Sequence, residues 1–154
     1  MLHEHPRNAG PLGVIGSSSA NVFAAEADVV LAVGTRQQDF TTGSWSVFGN
    51  ERMRLISLNA ARYDTHKHHA LSLVSGALVG IGELDKALSG WSSPASWTAW
   101  AQTLYGEWNR TVEEHSRSKD TLPPSYAHVV GAVNRVCDKT DLALTAAGGF
   151  PGEL

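Results

Sequence analysis

The sequence has a single cysteine, Cys137, which excludes an internal disulfide. It lies in the helical-looking run Ala132 to Cys137, where a free cysteine is expected as a small buried apolar residue. A reduced, cytoplasmic setting is compatible with that usage. No apolar run reaches the ~18 residues of a membrane span. Met1-Leu-His-Glu-His-Pro-Arg7 has no basic stretch leading into an apolar core, so no secretory signal is expected. Basic residues are few: 12 Lys and Arg stand against 15 Asp and Glu, and they do not cluster. A nucleic-acid surface is therefore not expected. Also missing are a P-loop, an HExxH zinc motif and a GxSxG nucleophile elbow.

What is present is an ordinary globular composition, with 154 residues for about one domain. Residues 1–18 are rich in Gly, Pro, Asn and Ser and read as loop. A serine-capped helix is predicted from about Ser19 to Ala27, and a β-branched strand from Val29 to Val33. Further strands are predicted at Leu55–Leu58 and Leu71–Val74, with a turn or short helix over residues 60–69 between them. Helices are predicted over Leu78–Leu88, about Pro94–Ser118 and Tyr126–Cys137, and a fourth strand over Asp141–Ala146. Strands separated by helices indicate an α/β fold with a Rossmann-like parallel sheet. In the long helix, Trp97, Trp100, Ala101, Leu104 and Trp108 make one apolar stripe, expected to pack against the rest of a larger protein.

Candidate chemistry concentrates after the first strand. Gly34-Thr35-Arg36 lies at a strand's carboxyl end, where parallel sheets gather ligands. Glycine lets backbone approach a ligand, and a guanidinium can clamp phosphate or carboxylate. The bland alternative is Arg36 paired to a carboxylate such as Asp39. Gly13-x-x-Gly16 before a helix could offer N–H groups to a phosphate, but no strand precedes it and a third glycine is missing. His66 and His69 would share a helix face, yet further zinc ligands at fitting spacing are lacking. Surface or interface histidines are the expected reading, for His3 and His5 as well. Gly148-Gly149-Phe150-Pro151-Gly152 follows the fourth predicted strand and could hold a phosphate or simply bend the chain.

The order Gly13-x-x-Gly16, Ala20-Asn21, Ala27-Asp28-Val-Val-Leu31, Val33-Gly34-x-Arg36 and Asp39 resembles the central domain of thiamine-diphosphate-dependent enzymes of the acetohydroxyacid synthase type. Four longer strings, VGTRQQDFTTGSWSVF (Val33 to Phe48), LNAARYDTHKHHAL (Leu58 to Leu71), LPPSYAHVVGAVN (Leu122 to Asn134) and LTAAGGFPGEL (Leu144 to Leu154), resemble one branch of that family. That branch opens the ring of a cyclic trihydroxydione in inositol catabolism. The resemblance covers essentially the whole chain and implies an internal fragment. Residues 1–90 would be the later part of the central domain, 91–120 a connecting helix, and 121–154 the start of the cofactor domain.

By the resemblance, the cofactors of the parent enzyme are thiamine diphosphate and magnesium. The family's activating glutamate domain and its Gly-Asp-Gly magnesium motif have no counterpart here. No catalysis and no tight cofactor binding are therefore expected of this chain alone. Ala147, Gly148, Gly149 and Phe150 match the turn that approaches the cofactor. Gly34, Thr35, Arg36 and Asn59 match the edge where some relatives bind a flavin or an adenine nucleotide. The implied partners are a small-molecule substrate and the rest of the enzyme or a homo-oligomer, with no nucleic acid and no membrane. Two alternatives stand beside this reading: another acetolactate-synthase-like enzyme, and a non-catalytic nucleotide-binding module.

Overall fold

The computed structural model describes residues 5–117, 122–138, 140–144 and 148. The chain divides into two compact units, Met1–Leu104 and Tyr105–Leu154.

The first unit is built on a three-stranded parallel sheet of β1 (Val29–Val33), β2 (Arg54–Asn59) and β3 (Leu71–Val74), in that spatial order. Helix α1 (Ser18–Ala25) precedes it and ends two residues before the predicted limit. Ser17 caps α1 by accepting from the Ala20 N–H at 3.1 Å. The short helices α2 (Asp39–Thr42) and α3 (Arg62–Thr65) lie in the two crossovers, and α4 (Ala77–Ala87) follows β3. A 3-10 turn, Lys67–His69, leads from α3 into β3. The described architecture is thus the expected α/β sheet flanked by helices.

Strand register decides which side chains share a face. Pairing of Leu31 with Ile56 and of Leu58 with Leu73 puts Val29, Leu31, Ile56, Leu58, Leu71 and Leu73 on one side. Leu58, only 1% exposed, is the best-buried apolar residue. Helix α4 comes down on it through Gly80, where an added Cβ would lie 2.5 Å from Leu58 Cδ1. On the opposite face, Ser72 Oγ donates to Thr65 Oγ1 of α3 at 2.6 Å, tying β3 to the crossover that precedes it.

Helix α2 is not predicted from the sequence. The string from Asp39 to Trp45 folds into this single turn and its exit. Gly43 caps it in the left-handed region at φ 57°, and Ser44 and Trp45 stay left-handed at φ 51° and 73°. Buried Thr42 holds the exit: its Oγ1 donates to Gln38 O and accepts from the Trp45 N–H, both at 3.2 Å.

The long helix α5 (Ala95–Ser116) begins in the first unit. There Trp97 and Trp100 pack on Phe23 of α1, with ring centroids 4.4 and 5.6 Å away. The stripe expected to face the rest of a larger protein is therefore partly covered from within the chain.

In the second unit, α6 (Tyr126–Val136) starts with a capping box between Ser125 and His128. Gly131 lies against the Ser116 backbone, where a Cβ would collide. Arg135 also donates to the Ser116 carbonyl at 3.0 Å, a favourable charge for the end of α5. Two expectations are corrected here. Cys137 is exposed, because α6 ends one residue earlier and leaves it beyond the packed face. Asp141 to Leu144 form no strand: they have no ladder partner among the described residues, and Leu142 and Leu144 are exposed. Thr145 and Ala146, the rest of that predicted strand, lie outside the described residues.

Candidate functional site

The carboxyl edge of the sheet brings Gly34, Thr35 and Asn59 together. Gly34 adopts φ 64°, and nothing lies within 4 Å of where its Cβ would be. Its N–H donates to Leu58 O at 2.9 Å, extending the β1–β2 ladder past the end of the strand. Asn59, the last residue of β2, clamps both exits. Its Nδ2 donates to Thr35 O at 3.1 Å, and its Oδ1 accepts from the Ala61 N–H at 2.9 Å. Thr35 Oγ1 in turn accepts from the Gln37 N–H at 3.1 Å, fixing a turn in which Gln37 is left-handed.

Arg36 is held by its backbone rather than by its charge. Lys67 Nζ donates to Arg36 O at 2.9 Å and pairs with Asp64 at 2.8 Å, where the Asp64 side chain is 11% exposed. The Arg36 guanidinium makes no ion pair or hydrogen bond among the described residues, and Asp39 is not its partner. Asp39 instead opens α2, where a carboxylate suits the positive end of the helix. The edge thus presents an open glycine and a free guanidinium on a fixed turn, an arrangement able to take an anionic group. Lys67 escapes the sequence reading; its only signal is the three-residue spacing from Asp64 on a helical turn. Gln37 Oε1 and Ser57 Oγ are buried without a partner among the described residues.

The Gly13-x-x-Gly16 loop is no phosphate cradle, because its donors are used internally. The Gly13 N–H goes to Asn21 Oδ1 at 3.0 Å, while Asn21 Nδ2 returns a bond to Gly13 O at 2.9 Å. The N–H groups of Val14, Gly16 and Ser17 go to Phe40 O, Gly13 O and Pro11 O. The Gly–Asn pairing in the motif is a structural clasp.

The three histidines separate. His66 Nδ1 lies 2.9 Å from Arg62 O, His68 stacks on Trp45 at 3.9 Å, and His69 follows at φ 57°. A shared helix face for His66 and His69 is lost, because His68 and His69 are both left-handed. Among the described residues no three His, Cys, Asp or Glu side chains converge on a point a metal could occupy. Gly148 is exposed; Ala147, Gly149 and Phe150 lie outside the described residues, so the expected turn near the cofactor is represented by Gly148 alone. The described residues do not supply a donor set that fits magnesium diphosphate. No described helix is long and apolar enough to cross a membrane.

Comparison with known proteins agrees with the sheet. The family model for the central domain of thiamine pyrophosphate enzymes matches residues 1–84. Two relatives named 3D-(3,5/4)-trihydroxycyclohexane-1,2-dione hydrolase, from Bacillus anthracis (strain CDC 684 / NRRL 3495) and Bacillus thuringiensis (strain Al Hakam), are each 30% identical over 97% of this chain. A third of that name, from Bacillus cereus (strain AH820), is 29% identical over the same share. The chain spans only 27% of the length of these relatives. With the parallel sheet and the matched span in agreement, the chain belongs to the thiamine pyrophosphate enzyme central-domain family.

Proposed function

We propose that this chain is a segment of a thiamine-diphosphate- and magnesium-dependent hydrolase that opens the ring of trihydroxycyclohexane-1,2-dione in myo-inositol catabolism. The observation that carries the reading is the 30% identity that runs through 97% of the chain, well past the span matched by the family model. Similarity to a generic acetolactate synthase-like central domain would account for the first part and not for the rest.

In this reading residues 1–90 are central-domain scaffold, 91–120 a connector and 121–154 the opening of the cofactor domain. Ala147, Gly148, Gly149 and Phe150 match the family's turn nearest the cofactor. The cofactor supplies the electron sink that lets a C–C bond beside a ketone break. This chain's described residues contribute position. Asn59 and Lys67 hold the post-β1 turn, and Gly34, Thr35 and Arg36 offer an edge to an anionic group of a nucleotide. The parent works in the cytoplasm, joined to its remaining domains or to further copies. The resemblance places the activating glutamate and the magnesium motif in parts of the family outside these 154 residues, so no turnover is expected of them alone. An assay of the purified 154-residue chain with the dione, thiamine diphosphate and magnesium tests that point. Thiamine-dependent product would overturn it.

A further inference from the structure

The amino-terminal half of one sheet face lines a cavity, away from the carboxyl edge and independent of the function proposed above. Gly80 of α4 covers Leu58 near the carboxyl ends of the strands. At the other end of the same face, Val29 and Leu71 are 53% and 63% exposed, and a cavity of about 620 Å³ opens over them and Ile56. That size lies within the range of small-molecule sites, roughly 300–1,000 Å³.

Its wall is aromatic and held in a fixed shape. Trp45 and Phe48 meet at 4.8 Å between centroids, and His68 stacks on Trp45 at 3.9 Å with 15° between planes. The two turns that carry this stack are each a pair of left-handed non-glycine residues, Ser44-Trp45 and His68-His69. Such conformations are costly and persist where their surroundings over-determine them, often at ligand sites.

The polar part of the lining contains an unused cation. Arg54, the first residue of β2, has a guanidinium with no ion pair or hydrogen bond among the described residues. Glu51 lines the same cavity, also without a partner among them, and disfavours a second negative charge on any occupant.

We propose that this cavity binds a small aromatic monocarboxylate. The ring lies between the aliphatic floor and the Trp45–Phe48 wall, and the carboxylate takes the Arg54 guanidinium in a charge-assisted pair.

Calorimetric titration of the 154-residue chain with indole-3-acetate, its neutral alcohol tryptophol and its amine tryptamine tests the proposal. Indole-3-acetate is expected to bind at one saturable site, and to weaken about tenfold or more in Arg54→Gln and in Trp45→Leu. Arg54 is exposed, so Arg54→Gln keeps the fold, and matching circular dichroism confirms it. Tryptophol is expected to bind more weakly than the acid, and tryptamine weakest. No saturable binding, binding unchanged in Arg54→Gln, or tryptamine binding tightest would each overturn the proposal. So would light scattering that shows a dimer which Trp45→Glu dissolves, because a second copy would then fill the cavity.

Discussion

Asn59 is the residue on which the carboxyl edge depends. One amide side chain ties the exit of β1 to the exit of β2 through bonds to Thr35 and Ala61. Asn59→Ala is expected to lower stability by about 1–3 kcal/mol, since two backbone groups lose their partner. A urea midpoint unchanged from the parent chain would count against that role. Lys67 acts on the same turn from the other side. Its partner Asp64 is mostly buried, so Lys67→Met strands a carboxylate and is expected to cost about 1–3 kcal/mol, between the exposed and buried limits. Lys67→Arg should recover much of the loss by keeping the charge, which a parallel denaturation series would show. Arg36 differs from both, because its guanidinium makes no ion pair or hydrogen bond among the described residues. Arg36→Ala is expected to leave the unfolding midpoint within about 0.5 kcal/mol of the parent and, for the nucleotide contact proposed at this edge, to weaken ADP binding. Retained ADP affinity in Arg36→Ala would remove Arg36 from the site.

At the scale of elements, the packing of α4 rests on a glycine. Alanine at position 80 would gain about 1 kcal/mol of helix propensity. It would also drive a Cβ into Leu58, which is too well buried to swing aside. Overpacking of this kind costs about 1–3 kcal/mol, so Gly80→Ala is expected to be net destabilising, by about 1 kcal/mol in a urea titration. Stabilisation by the same substitution would mean that α4 does not sit on Leu58.

Legibility in the sequence follows the same physics. β1 and β3 are read to the residue, because β-branched and leucine runs bounded by Gly34, Ser75 and Gly76 leave little choice. α2 is missed because a four-residue helix carries no periodicity, and its cap depends on three successive left-handed residues of which only Gly43 announces itself. The helix face that would join His66 and His69 fails for a related reason, since a helical spacing argument cannot see His68 leave the helical region. Cys137 is misjudged by a single residue at the end of α6. At the site, strand-end position points to Gly34, Thr35 and Arg36. The clasp between Gly13 and Asn21 shows instead that a phosphate-like glycine spacing can serve packing alone.

For the whole molecule, the described core is small relative to its apolar surface. Ala20, Ala27, Leu55 and Leu58 are the buried apolar residues, while Leu78, Val79 and Ile81 on α4 and Trp91 after it remain exposed. Exposed apolar groups on this scale mark surfaces that other polypeptide covers. This fits a chain that spans 27% of its relatives' length. These residues are proposed to form a working segment of a thiamine-diphosphate-dependent dione hydrolase. The most direct measurement exchanges the aligned segment of the Bacillus anthracis hydrolase for this chain and assays the purified chimera for ring opening. Thiamine-dependent hydrolysis of the dione by a folded chimera is expected. A folded chimera that forms acetolactate from pyruvate instead, or that binds thiamine diphosphate yet leaves the dione untouched, would contradict it.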